Sequence, residues 1–149
     1  MKILLIEDDK FKADDVMSFL NEEFGKVISV DMADSYSGGL AKAAMVAYDL
    51  LIVDMTLPKY TESKGEKSGV LPTGGEILIE TLNDMGGDSK SVVLTQYESF
   101  KDETIDDIDQ RLLMDCSPFY LGYIKYDYTA EKWKNKLKER IIYAINSNH

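Results

Sequence analysis

Cysteine is nearly missing from this chain: Cys116 is the only one in 149 residues. No disulfide can close within it, and a reducing compartment is the simpler reading. Positive charge is also short. Seventeen basic residues stand against 27 acidic ones, a formal charge of −10. That field repels phosphate backbones and anionic lipid, so neither direct nucleic-acid binding nor membrane attachment is expected. No apolar run approaches the ~20 residues of a membrane-spanning helix. The N-terminal MKILLIEDD turns acidic after a few apolar positions, without a signal-peptide core or a small-residue cleavage site. Together these absences point to a cytoplasmic protein.

What is present suits one compact domain spanning residues 1–149, with no internal repeat and no separate output domain expected. The composition is 44% apolar and 10% aromatic, too rich in core-forming residues for a disordered segment. Short apolar runs, KILLI (2–6), KVISV (26–30), DLLIV (49–53), SVVLT (91–95) and FYLGYI (119–124), alternate with stretches of helical period. Such alternation marks an α/β fold with a doubly wound parallel sheet, helices on both faces and order βαβαβαβαβα.

The helical stripes are Ala13, Met17, Leu20 and Phe24; Leu40, Ala43, Ala44 and Ala47; Ile105, Ile108 and Leu112, opposite an acidic face of Asp102, Glu103, Asp106, Asp107 and Asp109; and Trp133, Leu137, Ile141 and Ile145. The third helix opens at Thr73-Gly-Gly-Glu76, which has the spacing of a capping box, and ends near Gly86-Gly87, suited to a left-handed C-cap.

In open parallel sheets, ligands bind beyond the carboxyl ends of the strands, where strand order reverses. The first strand ends in Glu7-Asp8-Asp9 and the third in Asp54, so several carboxylates converge at one edge. Two like charges 4 Å apart cost about 4 kcal/mol at an effective dielectric near 20. A hard dication offsets this, and Mg2+ prefers oxygen ligands, held by one or two carboxylates and a phosphate. An acidic pair after a strand also suits a helix N-terminus, which is the plainer use of Glu7 and Asp8. Thr95 closes the fourth strand with a hydroxyl and Lys125 follows the fifth with an ammonium. Nucleophilic carboxylate, metal site, hydroxyl and fixed cation together are equipment for phosphoryl transfer.

Four motifs in order, LLIEDD, LLIVDMTLP, VVLT and YIK, each at a strand end, make the chain resemble the receiver domains of two-component response regulators. The resemblance covers essentially the whole length. It implies the flavodoxin-like strand order 2-1-3-4-5, with Asp54 accepting a phosphoryl group from a histidine kinase, a phosphotransfer protein or a small phosphodonor. It implies Mg2+ on Asp8 and Asp54, with Glu7 acting through water and the Thr56 carbonyl as a further ligand. Lys125 would pair with the phosphoryl group, and Thr95 would swing toward it and report to a downstream protein partner. The implied protein is a stand-alone signalling module or phosphorelay member. It is not an enzyme of turnover, its only catalysis being self-phosphorylation and slow autodephosphorylation.

The pattern also departs from the family. Tyr126 stands where proline follows the lysine, leaving the isomer of the Lys125–Tyr126 bond open. Gly122 stands where the switch aromatic is expected, with Tyr120 and Tyr123 as substitutes. Gln96 replaces a small residue, from which an altered dephosphorylation rate is expected. The stretch 59–73 is long and carries Lys59, Lys64 and Lys67; it reads either as a lid or kinase-recognition loop or as a plain insertion. The span from Thr95 to Lys125 is long too, implying an extended fourth helix. A pseudo-receiver that binds without phosphate is the second reading. A haloacid-dehalogenase-like phosphohydrolase fits less well, because its motifs run in another order, and IEDDK offers no phosphate-receiving run for a flavodoxin-like FMN site.

Overall fold

The computed structural model describes residues 1–61 and 69–147. Five parallel strands form the main sheet: β1 (Lys2–Ile6), β2 (Ser29–Ala33), β3 (Leu50–Val53), β6 (Lys90–Thr95) and β9 (Tyr120–Lys125). Their spatial order is β2-β1-β3-β6-β9. Counting sheet strands alone, this is the expected flavodoxin-like order. Helices α1 (Lys10–Phe24), α2 (Tyr36–Met45), α3 (Gly74–Asp84), α4 (Ile105–Asp115) and α5 (Lys132–Ser147) cover both faces. Two short antiparallel ribbons are added, β4 (Leu57–Pro58) with β5 (Val70–Leu71) and β7 (Ser99–Phe100) with β8 (Glu103–Thr104). Among the described residues, no helix is long and apolar enough to cross a membrane.

Strand alternation divides the interior into two cores. Ile3, Leu5, Leu50, Ile52, Val92, Leu94 and Ile124 pack with Ala13, Val16 and Leu20 of α1 and with Trp133, Leu137 and Ile141 of α5. Leu4, Ile6, Leu51, Val53 and Val93 pack on the other face with Leu78, Ile79, Ile105, Ile108 and Leu112. Consecutive residues thus face opposite layers, as a period of two requires, and this explains why the central runs are continuously apolar.

Several local expectations shift. β2 begins three residues later than KVISV, because Gly25–Val27 form a 3-10 turn and β1 pairs Lys2 with Ser29 through to Ile6 with Ala33. The buried face of α1 is Lys12, Ala13, Val16, Phe19 and Leu20, a stripe rotated from the expected one; Met17 and Phe24 only flank it. In α2, Gly39 is buried and Ala44 faces solvent, while Ala47 lies past the helix end and is exposed. Thr73 makes no side-chain cap; Glu76 instead binds Arg111 at 2.6 and 3.0 Å. The capping box forms at α4, between Thr104 and Asp107. The expected longer fourth helix is an 11-residue helix preceded by the β7–β8 ribbon, which carries Glu103; Arg111 clasps that residue at 2.7 and 3.0 Å. Gly86 does adopt a positive φ of 80° past the end of α3, so the left-handed expectation holds there.

β6 and β9 change register. Ser91 pairs with Tyr120, but Val93 pairs with Tyr123. One extra residue is therefore accommodated around Leu121-Gly122, and Gly122 has φ 96°, which glycine adopts without a Cβ penalty. The bulge turns both tyrosines toward α4, where Tyr120 Oη donates to Asp109 Oδ1 at 2.6 Å and Tyr123 Oη to Asp106 Oδ1 at 2.9 Å. Among the described residues the cis peptide is Ser117–Pro118; Lys125–Tyr126 is trans.

The start of α3 lies against the end of β3. Gly75 N donates to Met55 O at 2.8 Å, and a Cβ at Gly75 would sit 2.3 Å from the Asp54 carbonyl oxygen. Backbone on both sides leaves no flexible tip to yield. Gly75→Ala is expected to cost about 1–3 kcal/mol, the range for overpacking, while Gly69→Ala, with open space around it, stays near neutral. Urea unfolding of the two variants measures the difference.

Candidate functional site

Strand order reverses between β1 and β3, and the register there sets the site. Ile6 pairs with Val53, so the next residues, Glu7 and Asp54, leave the sheet side by side. Asp54 N is held by Ile6 O at 3.0 Å and Glu7 N by Ala33 O at 2.9 Å. One carboxylate oxygen from each of Glu7, Asp8 and Asp54 lies within 4.8 Å of the others. The donors are all hard oxygens at a spacing one cation can span, which suits Mg2+.

The helix-capping alternative is answered by Asp9. Its Oδ1 accepts from Lys12 N at 3.3 Å as the N-cap of α1, while its own N donates to Glu7 Oε2 at 3.1 Å. Glu7 and Asp8 are thereby left to the site.

Sequence reasoning missed Lys12. Its side chain is buried, and its ammonium meets Glu7 Oε1 at 2.6 Å, Leu94 O at 2.7 Å and Asp54 Oδ1 at 3.2 Å. The Tyr126 ring lies on another side, 5.5 Å from Nζ to centroid. That tyrosine, in the place of the expected proline, donates its hydroxyl to Asp15 Oδ2 at 2.7 Å and packs on Trp133 with centroids 5.1 Å apart. The available signal was position: Lys12, Val16 and Leu20 recur at four-residue steps on the apolar side of α1, where a lysine needs a partner.

The remaining expected residues divide. Thr95 is buried at the end of β6, its Oγ1 accepting from Tyr97 N at 3.4 Å. Thr56 Oγ1 donates to Pro72 O at 2.9 Å, tying the turn after Asp54 to the start of α3. Lys125 pairs across the sheet with Thr95, but its ammonium is bound to Glu98 Oε1 at 2.5 Å and its side chain is 55% exposed. Among the described residues no ion pair joins it to Asp54. Gln96 is exposed. In the long stretch after Asp54, Lys59 N donates to Gly69 O and Lys59 O accepts from Ser37 N, while Thr61 Oγ1 donates to Asp34 Oδ1. The lid or kinase-recognition reading, with Lys64 and Lys67, falls on residues 62–68, outside the described residues.

Electrostatics follow from burial. Desolvation pushes the Glu7 carboxyl up to about 8, with Lys12 pulling the other way and Asp54 adding to the rise. Burial and then Asp54 raise Asp8, whereas the Lys125 ammonium lowers Glu98. Asp54 Oδ1 accepts from Met55 N at 2.8 Å and from Lys12; among the described residues Oδ2 has no partner.

The comparisons bear on the fold. No family model matches the chain. The Detocs response regulatory protein DtcB of Enterobacter cloacae is 27% identical over 150 residues, covering 95% of this chain and 98% of that protein. A CheY-like receiver domain from Methanospirillum hungatei superposes with a TM-score of 0.66 at 20% identity, covering 98% of this chain and 97% of that one. The response regulator TrrA of Thermotoga maritima, in complex with Mg(2+)-BeF, gives 0.52 at 21% identity over 93% and 96%. The fold is that of response-regulator receiver domains.

A pH dependence follows from Glu7. Its native affinity for a proton exceeds that in the unfolded chain, so between about pH 4.5 and 8 the native state holds more protons and loses stability as pH rises. Thermal unfolding across that range is expected to show this slope, and Glu7→Gln to flatten it; an unchanged slope would count against the buried carboxyl as its source.

Proposed function

We propose that this chain is a response-regulator receiver that takes a phosphoryl group on Asp54 and signals through protein contacts. The observation that carries the reading is the cluster of Glu7, Asp8 and Asp54 oxygens at the strand-order switch, in which Asp54 keeps one oxygen unengaged among the described residues. Support comes from relatives named as response regulatory proteins and from the receiver fold.

Asp54 Oδ1 is pinned by the Met55 amide and Lys12, which leaves Oδ2 to attack. Its lone pair forms the new O–P bond while the P–N bond of a phosphohistidine, or the P–O bond of an acyl phosphate, breaks with its pair going to the leaving group. The donor is thus a histidine kinase, a phosphotransfer protein or a small phosphodonor. Asp8 and Asp54, with Glu7 and the Thr56 carbonyl, would hold Mg2+. When bound, Mg2+ supplies charge neutralisation for the transferring group. Thr95, buried at the next strand end, offers its hydroxyl to a phosphoryl oxygen and passes the change to the surface built by α4, β9 and α5 and to the protein bound there. The role is a signalling switch in the cytoplasm, without turnover of a separate substrate.

Incubation with Mg2+ and acetyl phosphate is expected to yield a phosphoryl adduct by intact-mass spectrometry. Chelation by EDTA or the substitution Asp54→Asn should abolish it. An adduct that survives Asp54→Asn, or none in the wild type, would sink the reading.

A further inference from the structure

We propose that Lys12, delivered by the first turn of α1, is the cation of the acceptor site, and that Lys125 is not. This rests on the phosphoryl-acceptor reading and names the residue that completes it.

The ammonium has three N–H groups, and three oxygens take them: Glu7 Oε1 at 2.6 Å, Leu94 O at 2.7 Å and Asp54 Oδ1 at 3.2 Å. A lysine with full valence of partners and a side chain only 3% exposed is fixed in place and shielded from solvent, so its field on Asp54 is strong. The surroundings are built to hold it. The Tyr126 ring faces the ammonium, 5.5 Å from Nζ to centroid, and is itself tied to α1 through Asp15 and braced by Trp133. Proline, with neither an aromatic face nor a hydroxyl, could supply neither contact. Lys125, by contrast, is exposed and already neutralised by Glu98.

Lys12 has two consequences. Before transfer it competes with the metal by sharing Glu7 and Asp54. During transfer the N–H that Asp54 Oδ1 takes at 3.2 Å, the longest of the three, turns to the charge developing on the phosphoryl oxygens, and removing a contact of that kind lowers rates by about 10²–10³-fold. A packing role alone would produce neither effect, least of all both with opposite sign.

The test uses the full chain carrying Lys12→Met, Lys125→Met or Glu98→Gln. Magnesium binding is measured by calorimetry and phosphoryl uptake from acetyl phosphate by mass. The expected result is that Lys12→Met binds Mg2+ about tenfold tighter yet takes up phosphoryl at least about a hundredfold more slowly, while the other two stay within about threefold of wild type. Loss of uptake in Lys125→Met, or a large gain in Glu98→Gln, overturns the assignment. Both changes are at exposed positions and so remain decisive even if Lys12→Met does not fold. If the wild type takes up no phosphoryl, the acceptor reading itself fails. Calorimetry then still judges Lys12, and an unchanged magnesium affinity in Lys12→Met overturns its place as the site's cation.

Discussion

Everything at the functional edge depends on one electrostatic problem: acids from two neighbouring parallel strands forced into the same few ångströms. The pairing of Ile6 with Val53 leaves no freedom for Glu7 and Asp54 to separate, because each is the first residue beyond a strand buried on both faces. Repulsion at that distance is a matter of several kcal/mol, and the fold answers it with a buried ammonium. Lys12 is both counter-charge and hydrogen-bond donor, and its carbonyl partner on Leu94 joins β6 to the same cluster. Three central strands are thus tied together at one end through a single side chain.

The two hydrophobic layers make this tolerable. Leu5, Ile52 and Leu94 lie under α1 and α5, and Leu4, Leu51 and Val93 under α3 and α4, so the strand ends are held rigidly enough for a site to be pre-arranged. Peripheral ion pairs do a different task. Arg111 binds Glu76 of α3 and Glu103 of the β7–β8 ribbon with paired hydrogen bonds, a fork geometry suited to carboxylates. That clasp sets the segment that follows Thr95 against the start of α3, which in turn presses on the Asp54 backbone through Gly75. The acceptor is therefore positioned from below by the sheet and from the side by helix α3.

Legibility varied with how strongly burial constrained each segment. The runs at 2–6, 49–53 and 91–95 were readable to within a residue because strands covered on both faces are apolar throughout. β2 was misplaced by three residues, since an edge strand that is half exposed carries a weak pattern. The bulge in β9 and the β7–β8 ribbon were invisible: each is a register decision between distant segments. Thr73 and Glu76 had the spacing of a cap, yet the glutamate found a better partner in an arginine 35 residues away.

The order of elements, the double-sided sheet and the gathering of Glu7, Asp8 and Asp54 at one edge were determined by the sequence itself. They follow from local periodicity and from which residue ends each strand. Which cation meets those acids was decided only in three dimensions. A lysine's long stem reaches in any of several directions, and its partner depends on what packs around it. The ribbon before α4 brings Glu98 to Lys125, which no spacing announces; the four-residue steps of Lys12, Val16 and Leu20 turn Lys12 inward, but which acids it meets there is settled only by packing.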